Sequence, residues 1–213
     1  MAIKNTNSLS LPSFSAVLIL AHGGFADDWL QFRGPNASGI ATHARPPLEW
    51  SATRNRRWQT PLPGPGSSSP IVVANHVFVT CYTGYGDGSP GRAEDLQRRL
   101  IAIDRESGRI TWQTAVASKV PEDAYRGYLR EHGYASHTPA SDGLNVYAFF
   151  GKAGVHAYSL DGRELWATQV GQRSNNRRWG SAASLMVHDG RLIVNAADES
   201  RAIIALDPKT GRE

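Results

Sequence analysis

His132 and His137 stand five residues apart and are the first side chains to consider as reactive groups. Imidazole nitrogens bind metal ions, but this spacing matches no common zinc-ligand pattern. Capping of a short helix over residues 121–131 and packing of the following loop explain the same histidines. We therefore predict a structural role for both, and we expect no metal site and no catalytic residue.

Two further segments contain groups that could bind ions. Asp198 and Glu199 are adjacent carboxylates that could hold a cation, although acidic residues are common in exposed loops. Residues 151–154 (GKAG) form a glycine-bounded turn, but no helix pattern follows to cradle a phosphate. Cys81 is the only cysteine, which excludes an intramolecular disulfide and a cysteine-only metal site.

Arginine and aromatic residues are concentrated between the apolar runs of the chain. This combination is typical of protein contact surfaces, and an ordinary solvated set of loops is the alternative. The candidate binding face consists of Arg126, Tyr128, Arg130, His132, Tyr134, Arg177, Arg178 and Trp179.

Three stretches of the chain repeat one pattern of short β-type runs. The runs are rich in Val, Ile, Tyr and Phe, as half-buried strands are. Asp-Gly pairs at 142–143 and 189–190 lie between such runs, which indicates tight hairpins. The predicted strands cover 71–73, 77–82 and 100–104, then 138–141, 146–150 and 155–158, and finally 184–187, 192–195 and 202–205.

Trp58, Trp112 and Trp166 follow one another at intervals of 54 residues. A repeat of roughly 40–50 residues with about four short strands is typical of a propeller blade. A tryptophan at the end of an outer strand can fill the gap between adjacent blades. We predict an all-β fold, a partial β-propeller of three to four four-stranded antiparallel blades, whose long loops share one face because antiparallel strand order places them at the same end.

The segment from Ala102 to Trp112, AIDRESGRITW, resembles the tryptophan-docking motif A-x-D-x-x-[TS]-G-[KR]-x-x-W of quinoprotein (PQQ-like) propellers. Residues 205–213 match it again, up to two residues before the expected tryptophan, whereas the middle copy has Ser159 in place of the aspartate. Residues 29–35 resemble the opening segment of exported bacterial PQQ-like proteins, and residues 49–58 resemble the outer strand of an earlier blade. The docking residues that the resemblance implies are Ala102, Asp104, Gly108, Trp112, Trp166, Ala205, Asp207 and Gly211.

The resemblance covers about residues 28–213 and implies a binding or protein-interaction scaffold in the cell envelope. PQQ-dependent dehydrogenases of this type need a complete ring around the quinone, a calcium site and an aspartate base. Three to four blades cannot surround a cofactor, so the sequence favours a non-catalytic module without PQQ or calcium. One alternative is part of a PQQ-dependent quinoprotein dehydrogenase, which would use both cofactors. Another is the sensor domain of a larger signalling protein.

Residues 1–26 read as a secretory signal peptide, with Lys4, an apolar run over 14–21, and small residues at Gly24 and Ala26. We expect cleavage near Ala26 and a periplasmic or secreted repeat region over 27–213, a fragment of a longer propeller. The apolar run is shorter than the ~20 residues that span a bilayer. The formal charge of +4 comes without a Lys/Arg block, which argues against nucleic acid. The resemblance implies protein partners in the cell envelope.

Overall fold

The computed structural model describes residues 28–117 and 119–213 and contains three antiparallel sheets in succession along the chain. The expected signal peptide, residues 1–26, lies outside the described residues. The strands are β1 Ile71–Val73, β2 His76–Thr83, β3 Gln97–Asp104, β4 Ile110–Gln113, β5 Val116–Ala117, β6 Ala140–Ser141, β7 Asn145–Phe149, β8 Val155–Ser159, β9 Glu164–Thr168, β10 Met186–His188, β11 Arg191–Ala196 and β12 Ala202–Leu206.

Each sheet is a meander in which consecutive strands pair. The strand orders are β1-β2-β3-β4 with β5 added on β3, then β6-β7-β8-β9, and then β10-β11-β12. Asp189 and Gly190 join β10 to β11 with φ of +46° and +67°, as the tight turn of a two-residue hairpin requires. Three consecutive meanders of this kind are three blades, so the prediction of an all-β, partial β-propeller is confirmed.

Details of the prediction differ from the structure. Within the described residues, the third sheet has three strands rather than four, and residues 49–58 form no strand. The predicted helix over 121–131 is reduced to α1, Leu129–His132. Three short 3-10 turns cover Pro35–Ala37, Ala93–Asp95 and Gly151–Ala153. No helix in the described ranges has both the length and the apolar character needed to cross a bilayer.

The apolar core lies between neighbouring sheets. Phe78 and Ala102 of the first sheet pack with Val146 and Tyr158 of the second. A second cluster joins the second sheet to the third in the same way; its members include Tyr147, Val155, Ala157, Leu192, Val194 and Leu206. Neighbouring sheets bury faces against each other, as stacked repeats do when they form a continuous core. The other face of the first sheet buries Cys81, Ile101 and Ile103, with Trp58 packed on them.

A short N-terminal segment, residues 28–31, crosses the first strands of all three sheets. Trp29 exchanges two backbone hydrogen bonds with Val72 of β1, at 2.8 and 3.0 Å. The backbone carbonyl of Leu30 accepts from the N–H of Ser141 in β6 at 2.8 Å. The side-chain oxygen of Gln31 accepts from the N–H of Val187 in β10 at 3.0 Å. The segment therefore links the three blades along one edge.

Candidate functional site

The three tryptophans of the 54-residue series each pack on a turn of the following sheet. Gly108 lies under the Trp58 ring with φ +73°, and a Cβ there would stand 2.6 Å from that ring. Gly162 and Gly211 lie under the next two rings with φ of +95° and +68°. The indole hydrogen bonds run from Trp58 Nε1 to Arg105 O (2.9 Å), from Trp112 Nε1 to Leu160 O (2.8 Å) and from Trp166 Nε1 to Pro208 O (3.0 Å).

The motif aspartates organise the turns on which the indoles rest. Asp104 Oδ1 accepts from the hydroxyl of Ser107 at 2.6 Å and from its backbone N–H at 2.7 Å. These bonds hold the pKa of Asp104 below its usual range. Asp207 Oδ1 accepts two backbone N–H groups of its own turn. In the middle copy, Ser159 donates its hydroxyl to Asp161, so a carboxylate two residues later supplies the acceptor.

The two motif alanines occupy different surroundings. Ala102 is buried and stands opposite Trp112 in the strand pairing. Ala205 is exposed, on the same face of the third sheet as Ile203, which is 74% exposed. The docking residues therefore position the blades, and none of them supplies a reactive group to a pocket.

The candidate binding face contains an aromatic–arginine patch, which we define as Tyr128, His132, Arg177 and Trp179. The Tyr128 and Trp179 rings lie 5.3 Å apart, and the guanidinium of Arg177 stands 4.6 Å from the Trp179 ring. His132 Nε2 hydrogen-bonds the carbonyl of Trp179 at 2.7 Å and so joins the two loops. Tyr128 is 57% exposed and Trp179 is 42% exposed, so large aromatic surface faces solvent.

The predicted face also includes three arginines that are close to the patch residues in sequence. All three are exposed: Arg126, Arg130 and Arg178. Among the described residues, none of them forms a salt bridge. The guanidinium of Arg130 donates to the carbonyl of Tyr125 at 3.4 Å. These three arginines therefore add exposed positive charge to the loops that carry the patch.

Tyr134 does not lie on this face as predicted. It is 6% exposed, its hydroxyl donates to the carbonyl of Asp123 at 2.6 Å, and its ring meets Tyr82 edge-on at 5.4 Å. Tyr85 and Tyr125 pack on the same cluster. Burying the aromatic ring among other rings is more favourable than exposing it to solvent. Tyr134 therefore lies beneath the loops and packs them together.

Beside the patch lies a group of buried charges that the sequence patterns did not single out. Arg98 Nη1 and Glu122 Oε1 form an ion pair at 2.8 Å, with side chains 5% and 4% exposed. Lys152 Nζ stands 3.5 Å from Asp123 Oδ2. Both pairs line a cavity of about 30 Å³, which we call the loop-face cavity. No spacing rule indicates these pairs, because Arg98 of β3 and Lys152 of a 3-10 turn lie far in sequence from Glu122 and Asp123.

The remaining wall of the loop-face cavity contains His137, Ser181 and Glu199. His137 Nε2 lies 3.0 Å from the Ser181 hydroxyl, which donates to Glu199 Oε1 at 2.5 Å. His132 instead bonds Ser136 at 2.7 Å through Nδ1. The two histidines of the sequence motif therefore serve different hydrogen-bond networks. In the part of the chain that the structure describes, no group of three or more His, Cys, Asp or Glu side chains is arranged to hold a metal ion.

Burial gives His137 a pH dependence that can be measured. Desolvation lowers its pKa to about 3, whereas the unfolded chain titrates near the ordinary value of about 6.5. Between those values unfolding takes up one proton, so stability falls as the pH drops, by up to about 1.4 kcal/mol per pH unit. We expect His137→Gln, which can still donate to Ser181, to flatten the dependence of unfolding free energy on pH between 6.5 and 5 in urea titrations.

The matched control for this measurement is His188→Gln, because the His188 side chain is 70% exposed. It should keep the wild-type pH profile. Burial raises the pKa of Glu199 and gives that carboxyl the opposite dependence, stability being lost as the pH rises through its folded pKa. The measurement is therefore the difference between each variant and the wild type in the slope of unfolding free energy against pH. Parallel profiles for His137→Gln and the wild type would contradict the assignment.

Comparison with known proteins agrees with the sheet pattern and the docked tryptophans. A family model described as outer membrane protein assembly factor BamB, a PQQ-like repeat model, matches residues 97–213, which is more than half of the chain. The chain belongs to this PQQ-like repeat family. The matched range begins in β3 and includes the second and third blades with their tryptophan-bearing turns. A search of curated protein sequences gives no match.

Solved structures similar to this PQQ-like repeat protein fall into two groups. BamB from Moraxella catarrhalis is 20% identical with a TM-score of 0.48, over 73% of this chain and 41% of that one. A europium-containing methanol dehydrogenase is 14% identical, with a TM-score of 0.43 and coverage of 70% and 24%. A quinohemoprotein alcohol dehydrogenase from Comamonas testosteroni is 18% identical, with a TM-score of 0.45 and coverage of 70% and 20%. The chain thus spans about two fifths of the BamB structure and less of the dehydrogenases.

Proposed function

We propose that this PQQ-like repeat chain is a non-catalytic propeller module that binds a protein partner in the cell envelope through its loop face. The observation that carries the proposal is the aromatic–arginine patch. Tyr128 and Trp179 expose large rings in mutual contact, and the guanidinium of Arg177 stands over the Trp179 ring. Aromatic and arginine side chains contribute most of the binding energy in protein interfaces. The family's description as an outer membrane protein assembly factor supports an envelope location and a protein partner.

We also propose that the chain holds no quinone cofactor. The loop-face cavity encloses about 30 Å³ and has no space for a fused-ring quinone. Its ion pairs already join Arg98 to Glu122 and Lys152 to Asp123. We therefore assign the two ion pairs a structural role in holding the loops, and we propose no reaction that uses a cofactor. Dye reduction by the purified chain with PQQ, calcium and an alcohol would overturn this assignment in favour of a dehydrogenase part.

Site-specific photo-crosslinking tests the proposed interface directly. A benzophenone amino acid replaces Trp179 in one variant and Leu144 in another, and the cells are irradiated. Leu144 is the matched control because it is 77% exposed but lies in the short turn between β6 and β7, at the opposite end of the blade. We expect a discrete protein adduct from position 179 and none from position 144. Equal labelling, or no adduct at 179, would refute the interface.

Removing the aromatic rings should weaken partner binding without unfolding the chain. Trp179→Ala and Tyr128→Ala each truncate an exposed ring, so stability changes little. A central aromatic of an interface contributes about 2 kcal/mol or more, which corresponds to roughly a 30-fold loss of affinity. Biolayer interferometry with the crosslinked partner measures this loss. Leu144→Ala should leave the affinity unchanged, and an equal loss in all three variants would contradict the prediction.

A further inference from the structure

The loop-face cavity contains two buried polar atoms that have unused hydrogen-bonding capacity. Glu199 is 3% exposed and His137 is 4% exposed, and both line the cavity. Within residues 28–117 and 119–213, neither Glu199 Oε2 nor His137 Nδ1 has a hydrogen-bond partner. Buried polar groups in native proteins are nearly always paired. Two such atoms on one cavity wall therefore indicate a ligand.

The buried cations of the cavity are already engaged with other groups. Arg98 pairs with Glu122 and also donates to the carbonyl of Tyr134 at 3.1 Å. Lys152 pairs with Asp123 and donates to the carbonyl of Pro121 at 3.1 Å. Neither side chain forms a salt bridge with Glu199 in the described part of the chain. The charge of Arg98 favours the ionised form of Glu199 from a distance, but Glu199 Oε2 keeps its capacity to accept a hydrogen bond from a group from outside.

The hydrogen-bond chain shows which kind of group would fit. The Ser181 hydroxyl has one hydrogen and gives it to Glu199 Oε1, so His137 Nε2 must be the donor in its contact with Ser181. Burial keeps the imidazole neutral, since its pKa falls to about 3. His137 Nδ1 then presents a lone pair, as does Glu199 Oε2 when the carboxyl is ionised. An incoming group must donate at least two hydrogen bonds, and a positive charge would stabilise the carboxylate.

Size limits the candidates further. A cavity of about 30 Å³ accepts one group about as large as a water molecule. A guanidinium is a planar fork of several atoms, whereas an ammonium is compact and has three donors. The described residues contain no metal-holding cluster. We propose that the loop-face cavity binds a primary ammonium group, which donates to Glu199 Oε2 and His137 Nδ1.

The position of the cavity connects it to the aromatic–arginine patch. Leu129 and Gly180 line the cavity, and they directly follow Tyr128 and Trp179 in the chain. A Cβ on Gly180 would stand 2.7 Å from Leu129, so the two loops are in close contact there. The ammonium group can come from a lysine side chain of the protein partner or from a small free amine. Only the lysine source rests on the proposed function.

Nuclear magnetic resonance of the whole chain, with ¹⁵N-labelled histidine and glycine, tests the site. We expect methylammonium chloride to cause saturable shifts of the His137 ring nitrogens and of the Gly151 amide, which lies beside Glu199. Tetramethylammonium chloride at equal concentration has the charge but no N–H, and should cause no such shift. Glu199→Gln should weaken methylammonium binding roughly tenfold or more. The comparison of the two salts uses the wild type, so it holds even if this variant unfolds.

Equal responses to both salts, or none to either, would overturn the proposal, because a buried water molecule would then account for the two atoms. A capped tripeptide with a central lysine, compared with one containing norleucine, distinguishes the sources. Tighter binding of the lysine peptide that Trp179→Ala abolishes supports a partner lysine. Equal binding of peptide and methylammonium, unaffected by Trp179→Ala, supports a free amine. Failure of the crosslinking experiment leaves the methylammonium result unaffected.

Discussion

Replacing Trp112 with alanine is expected to lower the free energy of unfolding by about 2–4 kcal/mol, somewhat less than the usual cost for a fully buried aromatic side chain, because the Trp112 ring is partly buried. The Trp112 ring packs between the first two blades, with Phe78 and Tyr158 at centroid distances of 5.6 and 6.0 Å. Its indole N–H also donates to the carbonyl of Leu160 at 2.8 Å. The substitution would therefore leave a cavity and an unpaired carbonyl at the same place. Urea unfolding followed by tryptophan fluorescence and far-UV circular dichroism measures the change.

The matched control is Trp50→Ala. Trp50 is 64% exposed, and substitutions at exposed positions usually change stability by less than about 0.5 kcal/mol. Trp112→Phe should fall between the two, since it keeps apolar volume but loses the indole N–H. If Trp112→Ala and Trp50→Ala have the same small effect, the tryptophan series does not hold the blades together.

The repeat was predictable because its signals are local. Asp189 and Gly190 indicate a hairpin within two residues, and the tryptophan interval places one ring on a turn of each of the three sheets. The sequence contains a further local signal: Thr60, Thr114 and Thr168 each follow a series tryptophan by two residues. Thr60 and Thr168 donate their hydroxyls to the carbonyls of the docking glycines Gly108 and Gly211. Thr60 and Thr168 therefore add a hydrogen bond to the same turns on which the tryptophans pack.

The link along the blade edges was not predictable, because it joins residues that are distant in sequence. Gln31 accepts a hydrogen bond from Val187, 156 residues away. Nothing in the local sequence indicates that Trp29, Leu30 and Gln31 each meet a different sheet. Such contacts depend on the stacking angle of the blades, which is set by the packing of the two clusters between the three sheets.

The candidate site was partly predictable for a related reason. Arginines and aromatics in long loops indicated a surface, and Tyr128 and Trp179 do meet there. Burial reverses the interpretation of others: Tyr134 lies inside, and Glu199 belongs to a hydrogen-bond chain with Ser181 and His137. Sequence composition does not distinguish a solvated charge from a buried one whose partner comes from another loop.

Breaking the ion pair beneath the loops is the second change expected to have a large effect. Arg98→Met removes the guanidinium that neutralises buried Glu122, and it removes the hydrogen bond to the carbonyl of Tyr134. Losing one partner of a buried ion pair costs about 3–5 kcal/mol, because the other charge remains in a poorly solvated place. We expect a loss of this size in the free energy of unfolding from urea titrations.

The double variant Arg98→Met/Glu122→Leu shows whether the buried charge causes the loss. Replacing both partners by apolar side chains removes the uncompensated charge, so most of the stability should return. The matched exposed pair is Arg57 with Glu106, whose side chains are 67% and 49% exposed, and Arg57→Met should cost no more than about 1 kcal/mol. If the double variant is as unstable as Arg98→Met, the guanidinium acts through its contacts with Tyr134 and the loops instead. Equal costs for Arg98→Met and Arg57→Met would mean that the loop-face pair is solvated and does not hold the binding face in place.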